Sequence, residues 1–266
     1  MTVSSLATYK SLASNLNSSF YSGGTVVANS MFNSYLISTS PAPSVPSTAT
    51  SSSNYGTGVW YNLSSANTGS SILHGININE TGGTGAIILV DILSMQGGLS
   101  GNNAITQTTN LPTAPLPRYT TGDGVYALIT AYTAIGTTNS SAQITYTDNL
   151  GVSGLSSYRF PLGAIPWNTA NKTQFIPLSS TGIRSVESFT LFLTTGTQGN
   201  LGISLVKPLA VCFFTVGNNG LNYCNLLQGG LINSLVKFYN SANLGIIIQI
   251  NGTFTSNFGS LIVSPA

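Results

Sequence analysis

STGIRSVESFTLFLTTGTQGNLGISLVKPLA, residues 180 to 210, decides how the chain is read. SFTLFL at 188–193 alternates between apolar and polar positions, the period-2 signal of a half-buried strand. TTGTQGN at 194–200 is turn chemistry, and LGISLVKPLA then resumes an extended apolar run. The stretch predicts a hairpin that forms half of a core seam, with Phe189, Leu191 and Leu193 on one face and Ser188, Thr190 and Phe192 on the other. Its three charges, Arg184, Glu187 and Lys207, are expected to cap and orient strand ends, with Lys207 closing the second strand beside Pro208.

The same grammar recurs through the chain. ILHGININ (72–79) and AQITYT (142–147) alternate strictly, and fuller apolar runs lie at 86–93, 125–135, 209–216 and 244–250. NETGGTG (79–85), TTGDG (120–124) and TDNLGVSG (147–154) punctuate them as turns. Strands at this spacing, with no helices between them, predict an all-β fold: an antiparallel β-sandwich or jelly-roll. Phe160, Trp167, Phe175, Phe189 and Phe213 are the expected large core side chains. Leu6, Tyr9, Leu12 and Leu16 permit one short helix near the N-terminus. Pro41, Pro43 and Pro46 favour an extended chain after it. Residues 1–54 therefore read as an N-terminal arm, expected to pack on the chain's own core or on a partner subunit. Residues 55–266 read as the β-sandwich core, as one body or two packed β-subdomains.

Only 5% of residues are Asp, Glu, Lys or Arg, against about a quarter in ordinary soluble domains, and the formal net charge is +2. Ser, Thr, Asn, Gln and Gly must then cover most of the surface. Such groups hydrate well but do not repel one another, so little opposes self-association or docking on another protein. The pI near 8.5 comes from scattered bases. No basic stripe exists to grip a phosphate backbone, so nucleic acid is not an expected partner. No apolar run approaches the roughly 20 residues of a membrane-spanning helix, and MTVSSLATYKSLASNL lacks the apolar run of a secretory signal.

Chemistry-bearing residues are sparse. His74, the only histidine, shares a strand face with Ile72, Ile76 and Ile78, and reads as structural. A Ser–His–acid triad would have to use it, and only Glu80 lies near it in sequence. Asp91, Asp123 and Asp148 each fall near an expected strand end or turn, where capping is the usual role of Asp. Calcium held by loop carbonyls and one or two of these carboxylates is the alternative. No catalytic residue, metal site or cofactor is assigned. Cys212 sits inside an apolar run and reads as a small buried hydrophobe, and pairing with Cys224 stays open. Six N-x-Ser/Thr sequons, starting at Asn17, Asn62, Asn79, Asn139, Asn171 and Asn251, read as chance products of an Asn/Ser/Thr-rich chain. Tyr55, Trp60 and Tyr61 in NYGTGVWYN are the candidate surface-contact aromatics, against the plainer reading of an aromatic strand over a core edge.

Two long passages carry a resemblance. GGLSGNNAITQTTNLPTAPLPRYTTGDGVYALITAYTAIGTTNSSAQITYTDNLGVSG (97–154) and TGIRSVESFTLFLTTGTQGNLGISLVKPLA (181–210) resemble a group of virion structural proteins of tailed bacteriophages. The closing LGIIIQINGTFTSNFGSLIVSPA looks like that group's final strand pair. The resemblance covers residues 86–211, and more loosely 244–264. It implies a location in the virion after assembly in the host cytoplasm, a head- or capsid-decorating (cement) role, and no catalytic residues. A chain of this kind is expected to form a homo-oligomer, a trimer above all, and to partner the major capsid protein or other virion proteins. The alternative is an adhesin, fibre or tail-neck protein that binds a host glycan or surface protein.

Overall fold

The computed structural model describes residues 17–26, 30–33, 50–51, 70–80, 84–109, 116, 118–163, 167, 170, 172–214, 221–225, 236–239, 242, 244–251 and 254–265. Among them every regular element is a β-strand and every strand pairing is antiparallel, in agreement with the all-β expectation. The expected helix over 5–16 and the proline-rich tract lie outside the described residues.

Three sheets form. The first runs β1 (Asn17–Val26), β17 (Phe254–Pro265), β4 (Ser70–Glu80) and β14 (Leu221–Asn225), with β15 (Val236–Tyr239) also paired to β4. The second runs β10 (Phe160–Leu162), β8 (Ser140–Asp148), β12 (Ile183–Leu191) and β6 (Thr106–Thr108), with β9 (Leu155–Ser156) beside β8. The third runs β13 (Asn200–Phe214), β7 (Tyr126–Thr133), β11 (Lys172–Phe175), β2 (Ser30–Asn33), β16 (Leu244–Asn251), β5 (Thr84–Leu99) and β3 (Thr50–Ser51). Since β13 pairs with β5 as well as β7, this ladder returns on itself and the sheet curls into a barrel-like half. Three register shifts along the β13–β5 ladder supply the extra twist that such curling needs. From the N-terminal segment, β1 pairs with β17, β2 with β11 and β16, and β3 with β5.

The main core lies between the second and third sheets. Ile144, Tyr146, Phe160, Val186, Phe189 and Leu191 from one side meet Leu93, Ala127, Ile129, Leu201, Ile203 and Leu205 from the other. The opposite face of β7 buries Leu128 and Tyr132 in a second cluster, with Val90, Ile92, Met95, Val206 and Ile247. Burial on both faces is why the 125–135 run shows no alternation.

The hairpin expected at 180–210 does not form. β12 pairs with β8 and β6 in the second sheet, whereas β13 pairs with β5 and β7 in the third, so residues 192–199 carry the chain across the sandwich. Thr195, fully buried, fixes this crossing. Its amide and hydroxyl both donate to the Gly101 carbonyl (2.8 and 2.9 Å), and the Gly136 amide donates to its hydroxyl (3.0 Å). The Thr138 amide donates to its carbonyl (3.1 Å). With its backbone groups spent on two other loops, the TTGTQGN segment cannot close as a hairpin turn.

Side-chain placement reflects this crossing. Phe189 and Leu191 are buried as expected, but Leu193 is past the strand end and 62% exposed, and Phe192 lies beneath the Arg159 guanidinium at 3.7 Å. Phe160 and Trp167 are in the core, while Phe175 is half-buried. Phe213 is 80% exposed. β7 stops at Tyr126, opposite Val206, so the far half of β13 has β5 on one edge and no β7 on the other. Val211 and Phe213 face outward there, and Cys212 between them faces inward. For the same reason β13 passes through Pro208 instead of ending at Lys207. A missing N–H is tolerated where one neighbour has ended and a register shift opens the other ladder between Pro208 and Ala210.

Cys212 is more than a small hydrophobe. It is fully buried and disulfide-bonded, and Cys224 is the chain's only other cysteine. The denatured, unreduced protein is therefore expected to take up no alkylating reagent by intact mass, and to gain two adducts after reduction. Two adducts without reductant would mean the bond is not made.

Candidate functional site

Asp91 occupies the middle of β5, not a strand end, and is fully buried. A carboxylate there needs a counter-charge. Arg118, from the LPR stretch, supplies a bidentate fork: Nε donates to Oδ2 at 2.8 Å and Nη2 to Oδ1 at 2.7 Å, with a further bond from Nη2 to the Ile92 carbonyl at 3.3 Å. This grip draws the loop onto β5 and sets the path of the adjoining turn. Tyr119 takes φ of +52°, the only positive value for a non-glycine residue among those described, and its carbonyl accepts from the Gly122 amide at 2.7 Å. Gly124, at φ +62°, leaves room for Lys207, because a Cβ there would stand 2.4 Å from Nζ. That ammonium donates to the Asp123 carbonyl at 2.8 Å and lies 5.5 Å from the centre of the Tyr119 ring. Tyr239, from β15, meets Tyr119 edge to face at 5.2 Å. Burial above all, then the Asp91 carboxylate, pushes the Tyr119 phenol well above its ordinary range, so it stays a neutral hydroxyl.

These residues enclose a polar pocket of about 530 Å³ lined by Arg118, Tyr119, Thr120, Thr121, Asp123, Lys207 and Tyr239. Beside it is an apolar groove of about 440 Å³, whose walls include Ile88, Tyr126, Phe175, Pro177, Pro208 and Val211. Lys207 and Pro208, adjacent on β13, divide between the two. Val211 in the groove wall and Phe213 two residues along the strand are both exposed.

Three further charges, Asp148, Arg184 and Glu187, fasten turns. Asp148 Oδ1 accepts from the Leu150 and Val152 amides, both at 2.9 Å, which is the capping role expected of it. Arg184 clamps two turns through the Asn149 carbonyl (Nη2, 2.6 Å) and the Thr121 carbonyl (Nε, 3.1 Å). Glu187 accepts from the Thr147 hydroxyl and, at 3.3 Å, from the Gly154 amide. Gly182 lies so close to the TTGDG turn that a Cβ would be 2.1 Å from the Gly122 carbonyl oxygen. Among the described residues no three His, Cys, Asp or Glu side chains converge as metal ligands. Asp91 and Asp148 direct carboxylate oxygens at internal donors. Tyr55, Trp60 and Tyr61, and the side chain of His74, lie outside the described residues. The polar pocket is hidden from sequence reasoning because its parts come from three separated segments. Its one local sign is an arginine immediately before a Gly-rich turn.

No protein-family model matches the chain, and no curated protein matches it. Among solved structures it aligns with that of the infectious bursal disease virus Gx strain at a TM-score of 0.18 and 8% identity, over 94% of this chain and 80% of that one. It aligns with the VP2 subviral particle of infectious bursal disease virus at 0.16 and 6%, over 94% and 80%. At TM-scores this low neither alignment argues for a shared fold or role.

The buried charges set two expected outcomes. Asp91→Asn is expected to destabilise the protein by about 3–5 kcal/mol, read from a denaturant midpoint at unchanged m-value, because it leaves Arg118 buried without its counter-charge. Replacing both partners, Asp91→Leu with Arg118→Met, should recover most of that loss. Lys172 is buried in β11, and desolvation lowers its ammonium from 10.5 to about 8. The unfolded chain therefore binds more protons than the native one between pH 8 and 10.5, so stability rises with pH across that window. Denaturant midpoints measured from pH 7.5 to 10 should rise, and Lys172→Met should remove this component of the rise.

Proposed function

We propose that the chain is a non-enzymatic structural protein of a virus particle, a decoration or cement protein that stabilises a capsid shell through subunit interfaces. One observation carries the reading. Among the described residues Asp91, Arg118, Asp148, Arg184 and Glu187 are spent on the framework, while the outer edge of β13 and its surroundings leave Tyr126, Val211 and Phe213 exposed, the first two in the wall of a groove. A rigid β-framework with a nearly uncharged surface suits docking by burial, since little electrostatic repulsion has to be overcome. The resemblance of residues 86–211 to tailed-phage virion proteins points the same way. In this reading the chain is a closed cyclic oligomer, a trimer at a symmetry axis of the shell, and contacts the major capsid protein.

The mechanism is additive interface burial. At about 25 cal/mol per Å² of apolar area, a standard interface of about 1,600 Å² can outweigh association costs and oppose expansion of the shell. Particles stripped of the chain with the shell intact are expected to rupture at a lower temperature and under milder osmotic shock, and re-addition of purified chain should restore both. Unchanged rupture on stripping would overturn the cement role.

A further inference from the structure

We propose that the polar pocket beside β13 binds a neutral saccharide ring, with Tyr239 as its stacking wall and Lys207, Asp123 and the Thr120 and Thr121 hydroxyls as hydrogen-bonding partners. The walls set the ligand class. Tyr239 is 45% exposed, so part of its ring is open to the C–H face of a sugar. Around it stand hydroxyls, one ammonium and one carboxylate, which together donate to and accept from the paired lone pairs and protons of sugar hydroxyls. The formal charges cancel: Lys207 is offset by Asp123, and Arg118 by the Asp91 carboxylate it grips. A phosphate or carboxylate ligand would meet no net attraction there. At about 530 Å³ the pocket lies within the usual size range of small-ligand sites.

The site is built in advance of any ligand. Lys207 is held by the Asp123 carbonyl and by the space that Gly124 leaves open. Tyr119 is held in an uncommon backbone conformation by the Arg118 anchor, and backbone strain of this kind concentrates at binding sites. The Tyr119 hydroxyl is buried and has no hydrogen-bond partner among the described residues.

The inference does not rest on the virion reading, because binding would be a property of the isolated chain. The test is the full-length protein on an array of immobilised neutral oligosaccharides with acidic counterparts. Binding to at least one neutral glycan is expected, to be kept by Tyr239→Phe and weakened about tenfold or more by Tyr239→Ala and by Lys207→Gln. Lys207→Gln leaves the edge-to-face contact of Tyr119 with Tyr239 in place, so it carries the test if Tyr239→Ala lowers the thermal midpoint. Absence of neutral-glycan binding, a preference for the acidic glycans, or full binding by Lys207→Gln would overturn it.

Discussion

The buried pair of Asp91 and Arg118 is the constraint on which much of this architecture turns. β5 is the spine of the curled sheet, paired to β13, β16 and β3, and its middle carries a carboxylate with no access to water. Desolvating two charges is costly, and a hydrophobic pair of the same size would serve stability as well. What the pair adds is position. A bidentate guanidinium–carboxylate pair is directional, so the Nε and Nη2 bonds to Asp91 dock the loop at 118–125 in a defined position on β5. The turn geometry, the pocket and the seat of Lys207 all depend on that docking.

Three other charges act in a similar way over shorter reach. Arg184 joins the 121 and 149 turns, Asp148 closes its own turn, and Glu187 reaches the 147–154 turn from β12. Thr195 does the same work without charge, through bonds to two loops. In an all-β chain with little helix-like local structure, long-range pairings must be held in register by groups such as these. Polar side chains turned inward leave a surface of hydroxyls, amides and scattered apolar groups. Surface neutrality and internal rigidity are linked here: among the described residues Asp91, Arg118, Asp148, Arg184, Glu187 and Lys207 all use their charge to hold the framework in place.

Strand periodicity was legible in the sequence because it is local. β4, β5, β7, β8, β12, β13 and β16 all lie where alternation or apolar runs placed them, and Gly122, Gly151, Gly154, Gly196 and Gly199 have the positive φ expected of their turns. Pairing was not legible. Eight residues between β12 and β13 are compatible with a hairpin or with a crossing between sheets, and the choice depends on Gly101 and Gly136, 94 and 59 residues from Thr195 in sequence. Exposure failed where it depended on a neighbour's length: Phe213 reads as core by composition, and it faces solvent because β7 ends at Tyr126. Asp91 reads as a strand end because charge in an apolar run usually marks one, and the partner that permits its burial is 27 residues away.

The far half of β13 shows how one strand can serve two ends. Up to Val206 it is interior, flanked by β7 and β5 and covered on both faces by the two core clusters. Beyond Val206 no further described strand takes the place of β7 on that edge, and an open edge of an ordinary strand would offer a row of unpaired donors to any passing chain. Pro208, which has no N–H to donate, sits just past the point where β7 ends, and the register shift after it turns the strand again. Strand-to-strand addition is thereby discouraged at the place where Val211 and Phe213 are presented. The exposed side chains of Val211 and Phe213 favour contact through shape over backbone pairing at this edge.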